Sequence, residues 1–254
     1  MRSVAFRESC VAVACAALLW FVGSEPSWAQ AKDEHLFVSG TDLKTVLFGS
    51  LDAGRSSFIT LGAKQTLSGP LDRSGFVSLA AVGYGGTPAR ADFETNSNVV
   101  VRPTVQASAM IGYQWTLDRV FVAGFIGPEV DAQQPVTIGE IPRLSHPRLG
   151  LRIQGELWAH PTENTLLTAT VVAGTARGHL WGRTAFGYRI WNDVFIGPEA
   201  SLSMTETYRE WRVGAHVTGL QLGRFTFGLS GGWRGEDDSP HHGAYVNISG
   251  YVRM

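Results

Sequence analysis

The chain has 254 residues, 30 of them glycine, and a formal net charge of −1, which suits one large domain. Charged residues make up 17%, below the roughly 25% of soluble domains. Lysine and arginine are scattered without a basic run, which excludes a nucleic-acid surface, and the glycine excess with low charge favours many strands and turns over helices.

Arg2 and Arg7 precede an apolar stretch from Val11 to Val22 that is too short to anchor stably in a bilayer. Ser27-Trp28-Ala29 then puts small residues at the −3 and −1 positions of a cleavage site, so residues 1–29 are expected to be a cleaved signal peptide. Cleavage after Ala31 is the alternative. Cys10 and Cys15 both lie in this segment. The remaining chain, 30–254, has no thiol, which suits an oxidising compartment and excludes disulfides, thiol catalysis and Cys-ligated zinc.

Beyond Ala31 no segment approaches the roughly 18 uninterrupted apolar residues of a membrane helix. Period-two alternation recurs instead, in blocks of about 8 to 12 residues. The first turns are marked by Ser68-Gly69-Pro70 and Gly85-Gly86-Thr87-Pro88. In Arg148–Trp158, Leu149, Leu151 and Ile153 alternate with Arg148, Gly150, Arg152 and Gln154, before the turn His160-Pro161-Thr162-Glu163-Asn164. In His179–Ile190, Leu180, Phe186, Tyr188 and Ile190 alternate with His179, Trp181, Arg183 and Arg189, before Trp191-Asn192-Asp193. In Trp211–Thr218, Trp211, Val213, Ala215 and Val217 alternate with Arg212, Gly214, His216 and Thr218. Phe225, Phe227 and Leu229 alternate with Thr226, Gly228 and Ser230, and Glu236-Asp237-Asp238-Ser239-Pro240 forms the last turn.

One apolar and one polar face per strand is the pattern of an antiparallel sheet between two environments. The segments number about 12, with roughly 10 as the lower bound, and predict an all-β fold: a single antiparallel up-and-down β-barrel over 30–254. The polar face carries Lys64, Arg148, Arg152, Glu156, His179, Arg183, Arg189, Arg212 and His216. A membrane barrel turns that face to the lumen; a soluble periplasmic ligand-binding barrel turns it to water. The export signal, the block length and the aromatics Tyr113, Trp115, Trp158, Trp191 and Trp233 at strand ends, placed as an interfacial girdle, favour the outer membrane and contact with its lipid.

Two segments echo each other. Gly112-Tyr113-Gln114-Trp115 leads to Phe125-Ile126-Gly127-Pro128-Glu129, and Gly187-Tyr188-Arg189-Ile190-Trp191 leads to Phe195-Ile196-Gly197-Pro198-Glu199. Each proline lacks a ladder donor and marks a bulge or local break, and the glycine beside it permits close approach or a kink. Alternation turns Phe, Gly and Glu to the polar face. Glu129 and Glu199 are therefore expected as inward carboxylates at matching positions, each paired with a lumen arginine or available to a ligand.

These elements, with Tyr208-Arg209-Glu210-Trp211-Arg212-Val213-Gly214-Ala215, Gly219-Leu220-Gln221-Leu222-Gly223 and the early Phe37-Val38-Ser39-Gly40-Thr41-Asp42-Leu43, resemble the cellulose-biosynthesis protein BcsS family over about residues 36–253. The resemblance implies a non-enzymatic outer-membrane barrel assisting bacterial cellulose biosynthesis, export or anchoring. Its implied partners are cellulose or other components of the synthesis and export machinery, and it carries no catalytic set. The last aromatic is Tyr251, not the terminal residue expected of most outer-membrane barrels.

No cofactor is indicated: there is no phosphate-cradling glycine loop, and Asp237, Asp238, His241 and His242 lack a specific metal spacing. A barrel enzyme acting on lipid or polysaccharide would draw on His179, His216, Ser201 and Ser230, without a Gly-x-Ser-x-Gly element. Polysaccharide contact is the better physical match, because sugars offer hydroxyls to charged groups and apolar faces to indoles. Its candidates are Glu129, Arg148, Arg152, His179, Trp181, Arg183, Glu199, Arg212 and His216.

Overall fold

A computed structural model describes residues 43–89, 100–133, 136–137, 147–205, 208–237 and 239–254. The signal-peptide segment and Phe37–Asp42 lie outside them. The strands are β1 (Thr45–Ala53), β2 (Ser57–Thr66), β3 (Gly75–Ala89), β4 (Val100–Thr116), β5 (Val120–Gln133), β6 (Val136–Thr137), β7 (Arg148–Ala159), β8 (Thr165–Gly174), β9 (His179–Trp191), β10 (Val194–Thr205), β11 (Tyr208–Leu222), β12 (Phe225–Glu236) and β13 (Ser239–Arg253). Among the described residues there is no helix.

Each long strand pairs antiparallel with its chain neighbours, β1 pairs with β13, and β3 with β4, so twelve long strands close into a barrel. The two-residue β6 only extends the pairing of β4. The first and last strands meet along Val46↔Arg253 to Ala53↔Val246, which brings both ends of the described chain to one rim. Two hairpins at that rim are two-residue turns whose left-handed residues are Asn192 (φ 42°) and Gly223 (φ 61°), the backbone that matches strand twist.

The faces decide the environment. Outward Ile111 and Leu149 are 65% and 79% exposed, whereas inward Lys64 is 0% exposed. Exposed outward apolar side chains recur around the wall, among them Leu180, Phe186, Val213 and Leu229, while Glu129, Glu156, Glu199, Glu210, Arg234 and His216 are buried inside. A water-soluble barrel would invert this arrangement, so the wall is built to face hydrocarbon. Tyr113, Trp115, Trp191 and Trp233 lie on the outward face as the girdle reading expects. Trp158 does not: it is buried in the lumen, because it shares parity with Arg152 and Gln154, and its indole N–H donates to His160 at 3.3 Å.

The two Phe-Ile-Gly-Pro-Glu elements occupy equivalent places in β5 and β10. Pairing of β4 with β5 steps from Ser108↔Glu129 to Ile111↔Ile126, and that of β9 with β10 from Glu199↔Ala185 to Ile196↔Tyr188. In each case the ladder is interrupted beside Gly-Pro, and the register is kept across the gap. On the other side both strands stay fully paired. A Cβ on Gly127 would lie 2.1 Å from the Ala109 carbonyl oxygen, and one on Gly197 would lie 1.9 Å from that of Phe186. These are close approaches, not bulges. Gly197→Val is expected to destabilise the barrel by about 3 kcal/mol, the upper end of overpacking costs, and to deplete the compact band on unboiled gels. Gly124→Val, where no atom lies within 4 Å of the added Cβ, should leave that band intact.

Candidate functional site

Chemistry concentrates in the lumen, which has two unlike halves. The half nearest the termini is lined mainly by apolar side chains, with Lys64, Glu156, Arg189 and Arg253 set among them. Phe48, Phe121, Phe125, Trp158, Phe195 and Tyr251 point inward and pack into one buried cluster. The β2–β3 turn folds over its end: Leu71 is buried in the cluster and its N–H donates to the Leu43 carbonyl at 2.9 Å. Gln114, on β4, fixes this cap by donating from Nε2 to the carbonyls of Leu71 and Arg73, each at 2.7 Å. Lys64 pairs with Val46 near the termini end of β2 and points into this cluster, its Nζ 4.8 and 5.1 Å from the ring centroids of Phe121 and Phe125, a cation–π placement.

The other half is charged and ordered by ion pairs. On β1, β11 and β12 a chain of alternating sign runs Asp52–Arg212–Glu210–Arg234–Glu236–Arg55. Arg212 donates from Nε to Glu210 at 2.6 Å, Arg234 to Glu210 at 2.6 Å, and Arg55 to Glu236 at 2.9 Å. A second group joins β9, β10 and β13: Glu199 accepts from Arg183 Nε at 3.0 Å and from the Tyr245 hydroxyl at 2.6 Å. A third holds the β8–β9 turn against the mouth. Glu129 accepts the Ala176 N–H at 2.9 Å, Arg177 pairs with Asp131, and Gln106 donates to Asp131 at 2.9 Å.

The nine sequence candidates therefore divide. All sit on the inward parity of their strands. Glu129, Arg183, Glu199 and Arg212 are held in these networks, and His216 is held by the Phe186 carbonyl, 3.3 Å from Nε2. Arg148 stands exposed at the first position of β7. Arg152, His179 and Trp181 line a cavity of about 380 Å³ in the charged half, with Ser201, Ser203 and Asn247. The structure does not bring His179 and His216 together: His216 packs at Gly187, eight positions along β9 from His179, about 26 Å at 3.3 Å per residue. Period-two parity from Arg212, Ser230 and Glu129 would have added Glu210, Arg234 and Asp131 to the candidates. Tyr245 carries no local signal, since only closure brings β13 near Glu199.

An inward network of ion pairs inside an outward apolar belt is the construction of an outer-membrane-type β-barrel. The family model described as cellulose biosynthesis protein BcsS matches residues 46–254. The chain belongs to that family. No curated protein matches it. Among solved structures it is similar to the KdgM porin, also solved in complex with disordered oligogalacturonate, at 11% identity and TM-score 0.44, covering 82% of this chain and 98% of that one. CdiB from Acinetobacter baumannii is similar at 7% identity and TM-score 0.36, over 85% of this chain and 60% of that one.

Arg183→Met leaves Glu199 buried with the neutral hydroxyls of Tyr245 and Ser230 and without its counter-charge. The expected cost in urea unfolding of the refolded barrel is about 3–5 kcal/mol. The double variant Arg183→Met/Glu199→Gln should recover most of it.

Proposed function

We propose that this barrel is a non-enzymatic outer-membrane component of bacterial cellulose biosynthesis that anchors or organises the export machinery and does not conduct the polymer. The observation that carries this is the apolar plug. Six inward aromatics and the Leu71 cap occupy the lumen at the termini end, where a conduit would need a continuous polar path. The ion-paired carboxylates and widely separated histidines of the other half suit a structural lumen better than a hydrolytic centre. The two longest connections, β3 to β4 and β5 to β7, both leave from the rim away from the termini. Long loops face the exterior in barrels of this type, so the termini and the plug lie on the periplasmic side. Partners on this reading are outer-membrane lipid around the wall and the cellulose synthesis and export machinery at the periplasmic rim.

Purified barrel in a planar bilayer is the test. Wild-type protein should show no stable open-channel conductance, and Phe121→Ala/Phe195→Ala should introduce discrete openings. Porin-like ohmic conductance from the wild type would overturn the reading. In cells the protein should fractionate with the outer membrane and migrate faster on gels before boiling than after.

A further inference from the structure

We propose that the cavity in the charged half is a one-ended cup for a neutral saccharide, gripped on the β7–β9 wall by Arg152, His179 and Trp181. Its volume of about 380 Å³ falls in the range of about 300–1,000 Å³ typical of small-ligand sites. Its two walls differ in what they leave available. On the β1, β11 and β12 side the charges are engaged with one another: Arg212 is spent on Asp52 and Glu210, and Arg234 on Glu210 and Glu236, with only the Nε of Arg234 left without an acceptor. A ligand gains little from groups already satisfied, and displacing them is costly.

The opposite wall is open for business of a different kind. Among the described residues the side chains of Arg152, His179 and Trp181 make no hydrogen bond, and the Nε of Arg152 is a buried donor without an acceptor. A buried donor left in that state costs free energy that a ligand acceptor returns. The register sets their spacing. Arg152 and His179 both pair with Gly174, one on either side, while Gln154 and Trp181 both pair with Val172 in the next row. Arg152 and His179 are thus two strand spacings apart, about 9.6 Å, and Trp181 lies one inward step, about 6.6 Å, along β9 from His179. Donors on either side of Gly174 with an indole one row deeper suit a pyranose, which presents hydroxyls at its edge and C–H groups on its face.

Charge selects a neutral sugar over an acidic one. Gly174 has no side chain, and the Glu129 carboxylate fills the gap: a Cβ there would lie 2.4 and 2.5 Å from its two oxygens and 2.2 Å from His179 Cε1. Glu129 therefore stands between Arg152 and His179 and offsets the Arg152 charge where a ligand carboxylate would need to sit. Ser201, Ser203 and Asn247 extend the polar lining with uncharged groups. Because the plug closes the far end, a chain enters and leaves by the mouth, and the cup takes a chain end or short segment. This goes beyond the closed-barrel reading, and the two fail separately.

The test is titration of the refolded barrel with cellohexaose, maltohexaose and an oligogalacturonate of similar length, followed by tryptophan fluorescence and calorimetry. Saturable binding of a neutral hexasaccharide is expected, weakened about tenfold or more by Trp181→Ala and about tenfold by Arg152→Gln, with both variants keeping the fast-migrating band. Arg152→Gln, which nearly preserves volume, carries the test alone if Trp181→Ala does not refold. Failure of both neutral sugars to bind, binding of the acidic one alone, or affinity unchanged in the folded variants would overturn the proposal. Conductance in a protein that binds sugar would sink the closed-barrel reading and leave this one standing.

Discussion

A charge inside a closed wall surrounded by hydrocarbon has few places to go. It cannot reach solvent through the wall, and burial without a counter-charge is expensive. The lumen answers with alternation of sign: Asp52, Arg212, Glu210, Arg234, Glu236 and Arg55 each neutralise the next. These contacts cross from β1 to β11 and β12, joining residues up to 181 positions apart in the chain. The pairing does more than satisfy charges; it ties the first strand to the last ones and so helps close the cylinder.

The alternation that defines inside and outside was written in the sequence. Arg148, Arg152, Arg183 and Arg212 share a face with Glu129 and Glu199, and the structure turns that face inward. The Gly-Pro pairs announced a disturbance of the ladder, and close backbone approach at Gly127 and Gly197 explains it. What was not legible is what non-local closure decides. The tyrosine on Glu199 arrives from β13, and the cap that seals one end is a turn whose composition, Ser68-Gly69-Pro70, reads as solvated. Trp158 was assigned to the outer girdle because it ends a strand and is aromatic. Its parity with Glu156 and Gln154 places it inside, and parity outranks residue type wherever one face of a strand is committed.

The plug and the charged half divide the work of the lumen. Aromatic packing fills the end where the chain begins and finishes, with Lys64, Arg189 and Arg253 set over its rings. The polar half must be solved pair by pair, and its solution is uneven. The β1–β11–β12 side pairs its charges with one another, while among the described residues the side chains of Arg152, His179 and Trp181 on the β7–β9 side make no hydrogen bond. Uneven satisfaction in an otherwise economical interior is where binding sites are found, because a native fold rarely leaves buried donors idle.

The two interruptions beside Gly-Pro also partition the wall. One lies between β4 and β5 and the other between β9 and β10. They bound a stave of four long strands, β5, β7, β8 and β9, against a stave of eight. The narrow stave carries Glu129, Arg152, His179 and Trp181. Missing ladder bonds lower the cost of local opening, so each Gly-Pro seam is a place where the wall parts at lower cost. Amide exchange is expected to be fast beside these two seams, which flank the strands that carry Arg152, His179 and Trp181.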